Sequence, residues 1–120
     1  MIARKQGRRP DHAVIIELVT RPRGASFEVI AKSIAARRSF VRYSTMRAGQ
    51  KASIDRSAKR YLRLLRDAFL DRGIALVRYG KSYVIVDAKH LDAEGATCEV
   101  LLGRKKHKVR REVLCRTNNI

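Results

Sequence analysis

Residues 53–87 read SIDRSAKRYLRLLRDAFLDRGIALVRYGKSYVIVD, and the fold is decided by this stretch. Its first half places Ile54, Ala58, Tyr61, Leu62, Leu65 and Phe69 at the spacing that puts apolar side chains on one helical face. Arg56, Lys59, Arg60, Arg63 and Arg66 form a basic stripe on the other side. Ser53 suits an N-cap, Asp55 stands where the helix dipole favours a carboxylate, and Gly73 suits the position beyond the last turn. Asp67 and Asp71 are spaced to pair with neighbouring arginines. From Ile74 the pattern changes. Residues 74–79 and 83–87 are rich in Val, Ile and Tyr and predict two strands, joined by a turn at Gly80-Lys81-Ser82. One face of the helix belongs in a core and the other faces a polyanion.

Working outward, Asp11 can cap a first helix over 11–20, with Val14, Ile15, Leu18 and Val19 on its apolar face, ended by Pro22 and Gly24. Ser26 caps a second, with Glu28 in its first turn and Phe27, Ile30, Ala31 and Ile34 at helical spacing to about residue 36. Residues 37–52 link it to the third helix. They are basic (Arg37, Arg38, Arg42, Arg47, Lys51), and Phe40, Val41 and Tyr43 favour an irregular path, although a helix continuation fits equally. Residues 1–10 hold Arg4, Lys5, Arg8 and Arg9 with Gly7 and Pro10, the composition of a flexible basic arm. A further strand is expected over 97–102, reached through a linker at 91–95 and free to pair with a second chain. The end, RKKHKVRREVLCRTNNI, is expected to be a short helix or an unfolded arm. The chain thus divides into an arm (1–10), a folded domain (11–88), and an extra strand with a basic tail (89–120).

Lys and Arg number 28 against 11 Asp and Glu, a formal charge of +17. Such an excess opposes compaction and calls for a counter-charge, most commonly phosphate. No apolar run is long enough to span a bilayer, the N-terminus lacks the apolar core of a signal peptide, and no membrane partner is expected. Cys98 and Cys115 make no disulfide framework, so a reducing cytoplasm, at the nucleoid, is the expected location. His90, Cys98, His107 and Cys115 match no common zinc spacing. Gly80-Lys81-Ser82 resembles the end of a phosphate loop, but Ala75 stands where the earlier glycine is needed. No catalytic arrangement, metal or cofactor is expected.

The stretches GASFEVIAKSI and KRYLRLLRDAFLDRGIALVRYGKSYVIV, three helices followed by a hairpin over residues 11–87, resemble a winged helix-turn-helix DNA-binding domain. The cadence is similar to the recognition helix and wing of the response-regulator group. The resemblance implies an α+β fold, a three-helix winged helix-turn-helix with a C-terminal β-hairpin wing. The 37–52 link departs from the pattern, since a tight helix-turn-helix uses roughly 3–4 residues. On this reading Arg56, Ser57, Lys59 and Arg60, near the start of the recognition helix, reach base edges, while Arg63 and Arg66 touch phosphate. Arg78 and Lys81 belong to the wing. Arg4, Lys5, Arg8 and Arg9 track a groove, and Arg104, Lys105, Lys106, Lys108, Arg110 and Arg111 hold phosphates. Tyr61 and Tyr83 are expected in the core. The expected partner is double-stranded DNA bound by a small transcriptional regulator of bacterial, phage or mobile-element type, with a homodimer open. RNA binding, sequence-neutral chromosome organisation and docking of an acidic protein stand as alternatives.

Overall fold

The computed structural model describes residues 11–38 and 42–114. In chain order these form α1 (Asp11–Val19), β1 (Ala25–Ser26), α2 (Phe27–Arg38), α3 (Ala48–Leu70), β2 (Ile74–Tyr79), β3 (Ser82–Asp87), β4 (Cys98–Leu102), β5 (Lys105–Val109) and α4 (Arg111–Leu114). The fold is α+β, with one antiparallel sheet in the order β1-β3-β2-β4-β5.

Asp11 opens α1, and its carboxylate receives Nε of Arg38 at 3.0 Å and Nη2 of the same guanidinium, tying the start of α1 to the end of α2. Each charge also sits at the helix end that favours its sign. Gly24 brings the chain back across the sheet. Its φ is +64°, and a Cβ there would lie 2.0 Å from the carbonyl oxygen of Tyr83 and 2.2 Å from Cγ1 of Val84. Only glycine lets β1 lie this close to β3, where Ala25 pairs with Tyr83 and Ser26 with Ser82. The Ser26 hydroxyl accepts from the N–H of Val29 at 3.2 Å, so Ser26 caps α2 as expected.

The third helix begins at Ala48, a turn earlier than Ser53, which is an exposed residue inside it. The link from α2 is therefore residues 39–47 rather than 37–52, and it contains a 3-10 turn at Tyr43–Thr45. Ala48, Gln50, Lys51 and Ala52 all favour helix, and the Gln50 side-chain oxygen accepts from the N–H of Arg47 at 3.1 Å. Arg47 has no side-chain acceptor with which to return that bond. Asp55 consequently lies beyond the first turn. Instead of answering the dipole, it accepts from the Tyr43 hydroxyl at 2.8 Å. That bond holds the phenolic proton and pushes the Tyr43 pKa up. Lys51 lies 5.6 Å from the centre of the Tyr43 ring, and Met46 is buried beneath the link.

The expected apolar face of α3 is buried or half-buried throughout: Ile54, Ala58, Leu62 and Leu65 lie in the core, with Tyr61 and Phe69 against it. They meet Ile15, Ile30, Ile34 and the helix-facing Leu76 and Ile85. Tyr83 packs against the same cluster. The opposite face of the β2–β3 ribbon is buried as well. Ala75, Val77, Val84 and Val86 form a second cluster with Cys98, Val100, Val109 and Leu114.

That second cluster draws on the segment expected to be a short helix or an unfolded arm: a short helix is present at Arg111–Leu114, a strand precedes it, and residues 115–120 lie outside the described residues. Residues 105–109 are β5, paired with β4 from Cys98↔Val109 to Leu102↔Lys105, and α4 adds Leu114 to the core. In β5 the chain alternates, so Val109 is buried while Lys106 and Lys108 face solvent. β4 pairs with β2 of its own chain at Arg78↔Leu101. The β3–β4 connection is fastened to β5 by Asp92, a non-glycine residue at φ +57°. Its carboxylate accepts from the Lys108 N–H at 3.1 Å and meets Nδ1 of His107 at 2.7 Å, and its own N–H donates to the Lys108 carbonyl at 2.7 Å.

Two predictions follow from this packing. Gly24→Ala is expected to destabilise by more than the roughly 1–3 kcal/mol that a left-handed non-glycine residue costs, because the methyl meets backbone. Gly73→Ala, at φ +76° with nothing near the added Cβ, is expected to show the conformational cost alone; urea unfolding of both variants checks the difference. Hydrogen bonds from His107, then from the Lys108 N–H, hold the Asp92 carboxyl below its ordinary value. A depressed carboxyl contributes stability above its ordinary pKa of about 3.9 and loses it as pH falls through the lower, folded value. Carbon NMR titration is expected to place the Asp92 midpoint below that of an exposed aspartate, and His107→Ala to raise it.

Candidate nucleic-acid interface

Arg56, Lys59, Arg60 and Arg63 are exposed on α3, opposite the face that carries Ile54, Ala58 and Leu65 into the core. Amphipathic periodicity enforces this separation. Lys59 stands 5.9 Å from the centre of the Phe27 ring. Arg66 is partly buried and reaches Asp67 at 3.3 Å. Ser57 is half-buried at the edge of the stripe.

Because α3 starts at Ala48, Arg56 to Arg60 lie in its third and fourth turns rather than near its N-terminus. The early turns instead present Ser53, exposed, and Lys51, stacked on Tyr43. Arg47, exposed, and Lys51, half-buried over Tyr43, add positive charge at the start of the helix. Their place in the basic 37–52 stretch was the signal available in the sequence, hidden by the reading of Ser53 as the cap.

Lys81 and Gly80 form the exposed tip of the ribbon, with Tyr79 40% exposed beside them. Arg78, also exposed, stands two residues before Gly80. It pairs with Tyr83 across the ribbon and with Leu101 of β4, on the face turned toward α3. The ordered β4–β5 hairpin presents Arg104, Lys105, Lys106 and Lys108 to solvent. Glu99 stands opposite Lys108 across the hairpin. Arg110 is exposed and lies against the β3–β4 connection, donating Nε at 2.9 Å and Nη2 at 2.5 Å to the Glu94 carbonyl. Arg111 lies on α4. Arg4, Lys5, Arg8 and Arg9 lie outside the described residues, as do Phe40 and Cys115.

The tertiary structure brings three separate basic segments together. At Gly103, the turn of the β4–β5 hairpin, a Cβ would fall 2.8 Å from Nη1 of Arg66. Between α3, the ribbon and this turn lies a cavity of about 240 Å³, lined by Leu62, Leu76, Leu101 and Tyr83 and by Lys59, Arg63, Arg66 and Arg78. No carboxylate lines it among the described residues. Sequence reasoning missed this cavity, since nothing local to Leu101 or Gly103 marks them as neighbours of α3.

His90, Cys98 and His107 are not brought into a metal-binding group, and no set of three or more His, Cys, Asp or Glu that could hold a metal occurs among the described residues. No described helix is long and apolar enough to cross a membrane. No protein-family model matches the chain, and no curated protein and no solved structure matches it either.

Proposed function

We propose that this chain is a double-stranded DNA-binding protein of winged-helix type, acting as a small transcriptional regulator in the cytoplasm at the nucleoid. The observation that carries the proposal is the bare cationic face of α3, with Arg56, Lys59, Arg60 and Arg63 exposed on one long helix whose opposite face is core. A helix of about 10–12 Å diameter fits the roughly 12 Å major groove of B-DNA. Arg56 and Arg60 are the base readers, because a guanidinium can donate two bonds to guanine O6 and N7. The order of three helices followed by the β2–β3 ribbon supports the assignment of that ribbon as a wing, with Lys81 toward the backbone.

The β4–β5 hairpin adds a second phosphate-holding ribbon through Arg104, Lys105 and Lys106. Its rigid frame fixes where these charges sit relative to α3, which a loose tail would not do. The exposed Tyr79 beside Lys81 favours a second reading, single-stranded RNA, in which bases stack on aromatic rings.

Selection from a random double-stranded DNA library at near-physiological salt, with single-stranded RNA as competitor, separates these readings. An enriched motif that survives the competitor is expected. Binding without a motif would point to chromosome organisation, and loss to the competitor to RNA. In the same assay Arg56→Ala with Arg60→Ala is expected to relax base preference, by about 1–3 kcal/mol for each base pair read. Replacing Arg104, Lys105 and Lys106 by Ala is expected to weaken all sequences alike and flatten the salt dependence. With about six to ten phosphates held, wild-type affinity is expected to fall on the order of 10³–10⁵-fold between 50 and 200 mM salt, as measured by fluorescence anisotropy.

A further inference from the structure

The cavity between α3 and the sheet is amphiphilic in a specific way. Its floor is apolar, made by Leu62 of α3, Leu76 of β2 and Leu101 of β4, with the Tyr83 ring beside them. Its rim is cationic: Lys59, Arg63 and Arg66 come from α3 and Arg78 from β2. Among the described residues Arg63 and Arg78 have no carboxylate partner, and Arg66 has only the exposed Asp67 at 3.3 Å. At about 240 Å³ the space is a little below the roughly 300–1,000 Å³ of ordinary small-molecule sites.

A bare phosphate would satisfy the rim and leave the floor unused. A neutral apolar ligand would fill the floor and leave the cations facing nothing. The ligand that answers both is a flat aromatic base joined to an anion. Tyrosine and arginine are the side chains on which unpaired bases stack, and Lys and Arg neutralise phosphate. We infer that this cavity is a binding site for one unpaired nucleotide, its base against Leu101 and Tyr83 and its phosphate at Arg63 and Arg78. Lys59, Arg63 and Arg66 are also the inner flank of the α3 stripe, so a strand lying along Arg56 and Arg60 passes the mouth of the cavity. The inference deepens the DNA reading and rests on it for a nucleotide carried in a strand; a free mononucleotide has the same chemistry.

The full chain is titrated with three probes: a fully paired DNA hairpin, the same hairpin with one extrahelical 2-aminopurine, and free 2-aminopurine riboside monophosphate. The expected result is about tenfold tighter binding of the hairpin with the extrahelical base, with its fluorescence quenched by stacking on Tyr83. Leu101→Trp, which fills the cavity, is expected to erase that preference while affinity for the paired hairpin stays within about twofold. Tyr83→Leu serves as a second variant, expected to lose both the quenching and most of the preference for the extrahelical base, and thermal melting verifies that both variants remain folded. Binding of the free mononucleotide that Leu101→Trp abolishes, without any advantage for the extrahelical base, assigns the site to a free nucleotide. Equal affinity for both hairpins together with no binding of the mononucleotide overturns the inference and leaves the DNA reading standing. Failure to bind the paired hairpin counts against the DNA reading instead, and the mononucleotide titration still decides the cavity.

Discussion

Ala75, Val77, Val84 and Val86 point away from α1, α2 and α3, and they are as deeply buried as Leu76 and Ile85, which point toward those helices. The β2–β3 ribbon therefore has two apolar faces, and each must be covered. Hydrophobic burial contributes about 25 cal/mol per Å² removed from water, so an uncovered valine face on a small basic protein would be costly. The three helices cover one face. The β4–β5 hairpin and α4 cover the other, and the remaining features follow from that second cover.

One consequence is the placement of charge. Cys98, Val100 and Val109 join the second cluster from strands that continue the sheet beyond β2, where β4 pairs with β2 at Arg78↔Leu101, and the Gly103 turn that follows β4 lies against Arg66 of α3. Basic residues that are far apart in sequence thereby become neighbours on one side of the molecule. Their mutual repulsion is tolerated because the apolar contacts beneath them are extensive and because few carboxylates compete for the same surface. Self-repulsion within a surface of this kind opposes the compact state, and a counter-charge on it would relieve that opposition.

The polar contacts that fasten the periphery have a common logic. Asp11 with Arg38, Asp55 with Tyr43 and Asp92 with His107 and the Lys108 N–H each join segments distant in sequence. Each uses one of the chain's scarce carboxylates. These three acids set register at helix ends and connections, while on the outer face of α3 the exposed Asp67 stands beside Arg66 and basic residues predominate. The exposed carboxylate of Asp92 contributes little net energy through its ion pair, whereas the Tyr43–Asp55 bond is partly buried.

The sequence by itself determined the amphipathic division of α3, the two strands of the ribbon, the Ser26 cap and the basic character of the surface. All of these depend on local periodicity and on side-chain chemistry within a few residues. The unbroken triplets Ala75-Leu76-Val77 and Val84-Ile85-Val86 also held a readable signal, since a strand without alternation is buried on both faces. Only the tertiary structure decided what covers the second face, that Arg78 and the Gly103 turn meet α3, and that Asp55 holds Tyr43 instead of answering a helix dipole. Those contacts join residues far apart along the chain. Their partners are selected by shape and burial, which no local pattern of residue types specifies.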